Sequence, residues 1–273
     1  MKAQTARISA DGSPLLRERN KDVALLVLNE PKVRNSLSEA MLVALSNALN
    51  DIAADRTVRA VVLAANGPAF CAGHDLKELT SRRRDVDGGR AYFHHIMTMC
   101  SAMMRQIVDL PQPIIAAVQG VATAAGCQLV ATCDLAVASR GARFATPGVD
   151  IGLFCSTPMV ALSRNVARKH AMEMLLTGDA VSAEDAYRMG LINRVVSPGK
   201  ERLEAMALAR KIAGKSSHIV AIGKKGFYRQ AEMSLADAYR YVSEVMVENL
   251  MARDAEEGLN AFIAKREPKW EDR

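Results

Sequence analysis

Aromatic residues are scarce, at 4% of the chain, and no nucleic-acid-binding motif accompanies the net charge of +6. A small anionic ligand therefore fits the excess positive charge better than DNA or RNA does. Apolar runs are short: AVVLAA (60–65) and PIIAAV (113–118) fall well below the ~20 residues that span a bilayer as a helix, so no membrane span is expected. The five cysteines, Cys71, Cys100, Cys127, Cys133 and Cys155, are odd in number and widely spaced in apolar sequence. That pattern argues against a secreted disulfide framework and against a paired CxxC metal site, and predicts reduced thiols. Neither His94 with His95 nor His74 with Asp75 has a further His, Cys or Glu at ligand spacing, so no metal is predicted. The N-terminal MKAQTARISADGSPLLRERNK lacks the apolar core of a secretory signal, and the expected location is cytoplasmic.

What is present is enough hydrophobic sequence, 49% of 273 residues, for one large domain with or without a small appendage. PLLRERNKDVALLVLN (14–29) reads as a hairpin around a polar turn. Ser38 is placed to cap a helix whose apolar residues Met41, Leu42, Leu45, Leu49 and Ile52 recur at helical spacing. VRAVVLAA (58–65) and IIAAVQG (114–120) read as buried strands, with a helix over about 91–108 between them. NGPAFCAG (66–73) reads as a loop and VATAAGCQLVATC (121–133) as a helix opening in very small residues. The strand DLAVAS, a short strand near ARFATP and helices around 157–178 and 182–190 follow. The alternation argues an α/β fold. A boundary near NRVVSPGK divides a core, 1–200, from an all-helical region, 201–273, which is expected to pack on its own core or on a second copy.

Two segments share a design. CAGHD and VATAAGC each put small residues where the chain leaves a buried strand, which lets a ligand approach main-chain N–H groups. A helix opening near Ala125 adds the positive end of its dipole. Two such donors converging on one carbonyl oxygen form an oxyanion hole. The same small residues also suit tight packing of strand on helix, and the residues alone leave both uses open.

NEPKVRNSLSEAM, VRAVVLAANGPAFCAGHDLKEL, LPQPIIAAVQGVATAAGCQLVATCDLAVAS, ARFATPGVDIGL and EGLNAFIAKR resemble, in order and spacing, the enoyl-CoA hydratase/isomerase (crotonase) superfamily over about residues 15–270. The resemblance implies a spiral of ββα units with a helical C-terminal trimerisation region, assembled as a homotrimer or a dimer of trimers. It also implies an acyl-CoA thioester as ligand, with coenzyme A as part of the substrate and no separate cofactor. Carried over residue by residue, it makes the main-chain N–H groups of His74 and Ala125 the oxyanion donors. Lys32, Arg34, Ala72, Asp75, Leu76 and Lys77 match the strip that takes the adenine and phosphates of coenzyme A. Phe262 and Lys265 match residues that reach it from a neighbouring subunit.

The sequence departs from the hydratase pattern at both ionisable positions. Gln128 and Gly148 stand where the resemblance places the two glutamates that handle protons around the attacking water, and neither exchanges a proton at neutral pH. Each lost acid–base group typically costs 10² to 10⁴ in rate, so ordinary hydration is not expected. Replacing both, Gln128→Glu with Gly148→Glu, is expected to raise hydration if the pocket geometry allows it. Cys155 and Ser156 match a region where relatives carry a catalytic Tyr or Asp, and are auxiliary or pocket-lining candidates without a visible base. Strand-like alternation would return Asp150 to the side of Gly148. The GHD histidine also occurs in a branch that decarboxylates methylmalonyl-CoA, where this sequence has Cys155 in place of that branch's tyrosine. The leading expectation is an acyl-CoA enzyme of lyase or isomerase type that holds a thioester enolate. The alternatives are a non-catalytic acyl-CoA binding or regulatory protein of the same fold, or a decarboxylase or isomerase.

Overall fold

Runs of aliphatic residues with no polar interruption make strands that must be covered on both faces, and VALLVL and AVVLAA, buried at every position, form the centre of this molecule. The computed structural model describes residues 6–7 and 12–273; residues 1–5 and 8–11 of the N-terminal stretch read for a signal lie outside them. β1 (Ala6–Arg7), β2 (Leu15–Asn20) and β3 (Val23–Leu28) are antiparallel neighbours, with β2 and β3 forming the expected hairpin. A 3-10 turn, Pro31–Val33, leads to α1 (Glu39–Ala54), where the Ser38 hydroxyl accepts from Met41 N and the expected apolar stripe is buried.

Three ββα-like turns follow. In the first, β4 (Ala60–Ala65) joins the large sheet, β5 (Ala69–Cys71) joins a second, smaller sheet, and α2 (Leu76–Arg82) and α3 (Arg90–Asp109) return the chain. The second turn is β6 (Ile114–Val118), β7 (Val121–Thr123) and α4 (Ala125–Thr132). The third is β8 (Leu135–Ser139), β9 (Arg143–Ala145), a 3-10 turn (Pro147–Ile151), α5 (Pro158–Asn165) and α6 (Arg168–Thr177). β10 (Val181–Ser182), α7 (Ala183–Met189) and β11 (Arg194–Val196) complete the sheets, whose orders are β1-β2-β3-β4-β6-β8-β11 and β10-β9-β7-β5. This is the expected α/β spiral.

The sequence reading is corrected at β5 and β7. These three-residue strands lie inside segments read as loop and as helix; AFC and VAT are too short and too poor in large residues to show a period. The helix expected over 157–178 is two helices, separated where Val166 and Ala167 are extended.

The all-helical region comprises α8 (Glu201–Ala213), α9 (Ser217–Gln230), α10 (Leu235–Met251) and α11 (Arg253–Ile263). α8 buries Ala205, Met206, Ala209 and Ala213 against the face of the large sheet formed by Leu25, Val62, Ile115 and Val137. The main core fills the other face, between the sheets and under α1, α3 and α4.

Candidate active site

β5, β7 and β9 run parallel in the small sheet, so their carboxyl ends open on one edge. Gly73, at φ +88°, lets the chain after β5 turn against the chain after β7: a methyl group there would sit 3.0 Å from Ala124 Cβ, 3.1 Å from Thr123 O and 3.2 Å from Ala125 N. Ala124 takes φ 50° and ψ −120°, a conformation costly for a residue with a side chain, and swings the chain from β7 straight into α4. The first turn of α4 is pressed onto β5, since a methyl group on Gly126 would lie 2.1 Å from Cys71 O. The N–H groups of His74 and Ala125 thus stand on adjoining loops, and among the described residues neither donates to a protein acceptor.

The segments 30–37 and 72–78 are laced side by side. Ala72 N donates to Arg34 O at 3.1 Å and Leu37 N to Gly73 O at 2.7 Å, while the Thr123 hydroxyl donates to Ala72 O at 3.1 Å. This brings Lys32, Arg34, Ala72, Asp75, Leu76 and Lys77 to one rim, with Lys32, Arg34, Leu76 and Lys77 exposed. Asp75 is the cap of α2: its Oδ1 accepts from Lys77 N at 2.8 Å and Glu78 N at 3.1 Å. The carboxylate is therefore spent on the helix end rather than on His74. Both ring nitrogens of His74 are buried without a partner. Burial pulls that imidazole below its ordinary pKa; the Leu37 backbone pulls the other way from beside the ring, outside hydrogen-bond geometry.

Two residues here escaped the sequence reading. Asn35, fully buried at φ 53°, donates through Nδ2 to Asn66 O and Ala69 O and accepts from Glu30 N, pinning the loop to the end of β5. Glu30 has its carboxyl pushed up by burial and by the charges of Asp75 and Glu78. An asparagine in a PKVRNS turn is the only available signal for the first, and nothing local marks the second.

On the far side, Gln128 follows Ala124 by one helical turn, its N–H donating to Ala124 O at 3.0 Å. It is 5% exposed, and its Oε1 has no protein partner. Helical side chains lean toward the N-terminus, which carries this amide toward the Ala125 end. Gly148 is not an empty slot: a methyl group on it would lie 3.0 Å from both Cys155 Sγ and Leu153 O. The expected gain from Gln128→Glu with Gly148→Glu therefore depends on a shift of a few tenths of an ångström in the 153–155 segment, its backbone included. The Cys155 thiol is pushed up by burial, against the pull of the Gly148 backbone, so it is held as the weakly nucleophilic thiol. Ser156 is exposed and donates to Phe154 O at 3.3 Å. The alternation expected for Asp150 fails because residues 147–151 form a 3-10 turn; its exposed carboxylate lies against Gly178. Phe262 and Lys265 stand at the exposed end of the last helix, on the tail rather than on this edge.

The chain belongs to the enoyl-CoA hydratase/isomerase family, whose profile matches residues 18–273. Within it, the chain is similar to human enoyl-CoA hydratase domain-containing protein 3, mitochondrial, at 45% identity over 98% of this chain and 87% of that protein. The crystal structure of that human protein superposes with a TM-score of 0.89 at 47% identity, covering 94% of this chain and 100% of the other. The crystal structure of an enoyl-CoA hydratase from Mycobacterium smegmatis has a TM-score of 0.89 at 52% identity, over 94% and 98% of the two chains. The expected cytoplasmic location is corrected: the human relative and its vertebrate counterparts are mitochondrial by name. The inference failed because an apolar core marks secretory signals only; organellar transit segments are amphipathic and Arg-rich. No described helix is long and apolar enough to cross a membrane, and no described cluster of His, Cys, Asp and Glu is arranged to hold a metal ion.

Proposed function

We propose that the chain is an acyl-CoA thioester enzyme that stabilises an enolate-like oxygen between the N–H groups of His74 and Ala125, without the two hydratase carboxylates. The observation that carries this reading is the contact of Gly73 with the start of α4, which sets two otherwise unpaired N–H groups on adjoining loops. The dipole of α4 favours negative charge at the same point. A single such donor contributes about 2.7 to 4 kcal/mol to a transition state, so the pair supplies substantial catalysis with no ionisable side chain. Gln128 orients the acyl group or a water through its amide. Cys155, Ser156 and the bare backbone of Gly148 shape the acyl end. Lys32, Arg34 and Lys77 meet the phosphates of coenzyme A, Ala72 and Leu76 its adenine, and Asp75 holds that loop in place.

Phe262 and Lys265 reach the ligand of a neighbouring copy in a trimer or dimer of trimers. The exposed apolar residues of the tail, among them Phe227, Leu235, Met251 and Phe262, supply the surface for that assembly. Chemistry without a carboxylate suits decarboxylation, in which C–C cleavage releases CO2 and leaves the enolate to take its proton from water, better than isomerisation, which needs a group to carry a proton from one carbon to another.

A non-catalytic acyl-CoA binding protein is the second reading, favoured by the buried neutral amide at 128 and the side-chain-free position 148. Enoyl-, 3-hydroxyacyl-, malonyl- and methylmalonyl-CoA, measured for binding and for turnover separately, distinguish the two. Turnover of any one supports the enzyme reading, tight binding without turnover supports the second, and absence of binding removes both. Hydration of crotonyl-CoA at a rate ordinary for the family would refute the argument from the missing carboxylates.

A further inference from the structure

Lys224, on α9, is almost wholly buried, at 6% side-chain exposure, and is paired with Asp134 at 14%. Its ammonium donates to Asp134 Oδ2 at 2.7 Å, Ile107 O at 3.0 Å and Gln112 O at 3.2 Å, which uses all three of its protons. Asp134 is equally committed: Oδ2 also accepts from Ile114 N at 2.7 Å, and Oδ1 accepts from the Tyr228 hydroxyl at 2.9 Å. One polar cluster thus joins α9 to the last turn of α3, the first residue of β6 and the junction between α4 and β8. Apolar packing beside it is thin, because a cavity of about 640 Å³ lies between Leu110 and Pro111 on one side and Ile222 and Tyr228 on the other. The cluster, rather than a greasy interface, seats this part of the tail.

Asp134 comes two residues after the end of α4, an eight-residue helix buried along its whole length and about 12 Å long. A rod this short moves as a unit. At its first turn Gly126 abuts Cys71 O, so the helix cannot advance toward β5; retreat is opposed at the far end by the grip on Asp134 and by the Asn165 side-chain amide, which donates to Ala131 O at 2.8 Å. From this we infer that Lys224, acting through Asp134, is a positioning residue that sets where the Ala125 amide stands. The inference rests on the oxyanion reading above for its catalytic meaning, and on geometry alone for the clamp.

Lys224→Met keeps the length of the side chain and removes its charge; Lys224→Arg restores the charge, and Lys225→Met, at an exposed neighbouring position, is the control. Amide hydrogen exchange of the full-length, ligand-free protein reads the clamp. Lys224→Met is expected to speed exchange across residues 125–129 at least tenfold more than across α1, with partial recovery in Lys224→Arg and no change in Lys225→Met. Absorption of a conjugated dienoyl-CoA thioester at saturation reads the polarisation of its carbonyl, and its red shift is expected to shrink in Lys224→Met. A uniform rise of exchange over α1 and α4, or none, would overturn the inference and leave Lys224 as a stability pin. An undiminished red shift in a variant with loosened α4 would equally overturn it. Absence of any red shift in the unmodified protein refutes the oxyanion reading instead, and the exchange pattern then decides the clamp alone. Should Lys224→Met fail to fold, Tyr228→Phe removes one hydrogen bond to Asp134, and the same pattern is expected at smaller amplitude.

Discussion

Gly73 and His74 separate what the main chain does from what the side chains do. Gly73→Val puts a branched side chain where φ is +88° and where even a Cβ meets Ala124 and Thr123. The strain expected is about 1 to 3 kcal/mol, seen as a lowered melting temperature, together with loss of thioester binding in calorimetry. His74→Ala removes only the ring and leaves the N–H, so most binding is expected to survive. Total loss of activity in that variant with coenzyme A binding intact would return the chemistry to the imidazole. The ring nonetheless leaves a pH signature. Its pKa is lowered from 6.5 by burial, so the unfolded chain binds the proton more readily than the folded one. Stability from this group is complete above the ordinary value and is lost as pH falls through it toward the lowered one. Melting curves from pH 7.5 to 5 should fall less steeply for His74→Gln than for the unmodified protein. Small residues beside a GHD motif made the oxyanion candidates legible in the sequence. The contact of Gly148 with Cys155 was not, because it depends on how the 153–155 segment folds back.

At the scale of elements, the helix α4 and the strand β5 are spaced by a missing atom. Gly126→Ala places a Cβ 2.1 Å from a main-chain oxygen that has no rotamer to escape into, so overpacking of about 1 to 3 kcal/mol is expected. Denaturant melts measure the loss, and the register of Ala125 against Gly73 should suffer with it. Asp75→Ala removes the cap of α2 and should cost about 1 kcal/mol, with the Lys77 rim loosened and the His74 amide little affected. α1, β4 and β6 were readable because each is long enough to show its period or an unbroken apolar run. β5 and β7 were not: three-residue strands owe their existence to their neighbours in the small sheet, not to their own sequence.

The whole molecule leaves a large apolar surface on its tail, with Phe262 84% and Met251 81% exposed. A second copy is the expected cover, and Phe262→Glu with Met251→Glu should shift the sedimentation mass toward a single chain while leaving the far-ultraviolet dichroism unchanged. The ion pair between α9 and Asp134 joins residues too distant in the chain for any local pattern to announce. Sequence therefore showed that the tail is helical without showing how firmly part of it is tied to its own core.

The sulfur beside Gly148 carries one further consequence, about order in time. A glutamate introduced at 148 while Cys155 is present meets the thiol and the Leu153 carbonyl at 3.0 Å, whereas the same change after Cys155→Gly meets one obstacle fewer. The order in which the two changes are made therefore matters: Gly148→Glu is expected to lower the melting temperature less in a Cys155→Gly background than in the present chain, with the Leu153 carbonyl still to be moved in both.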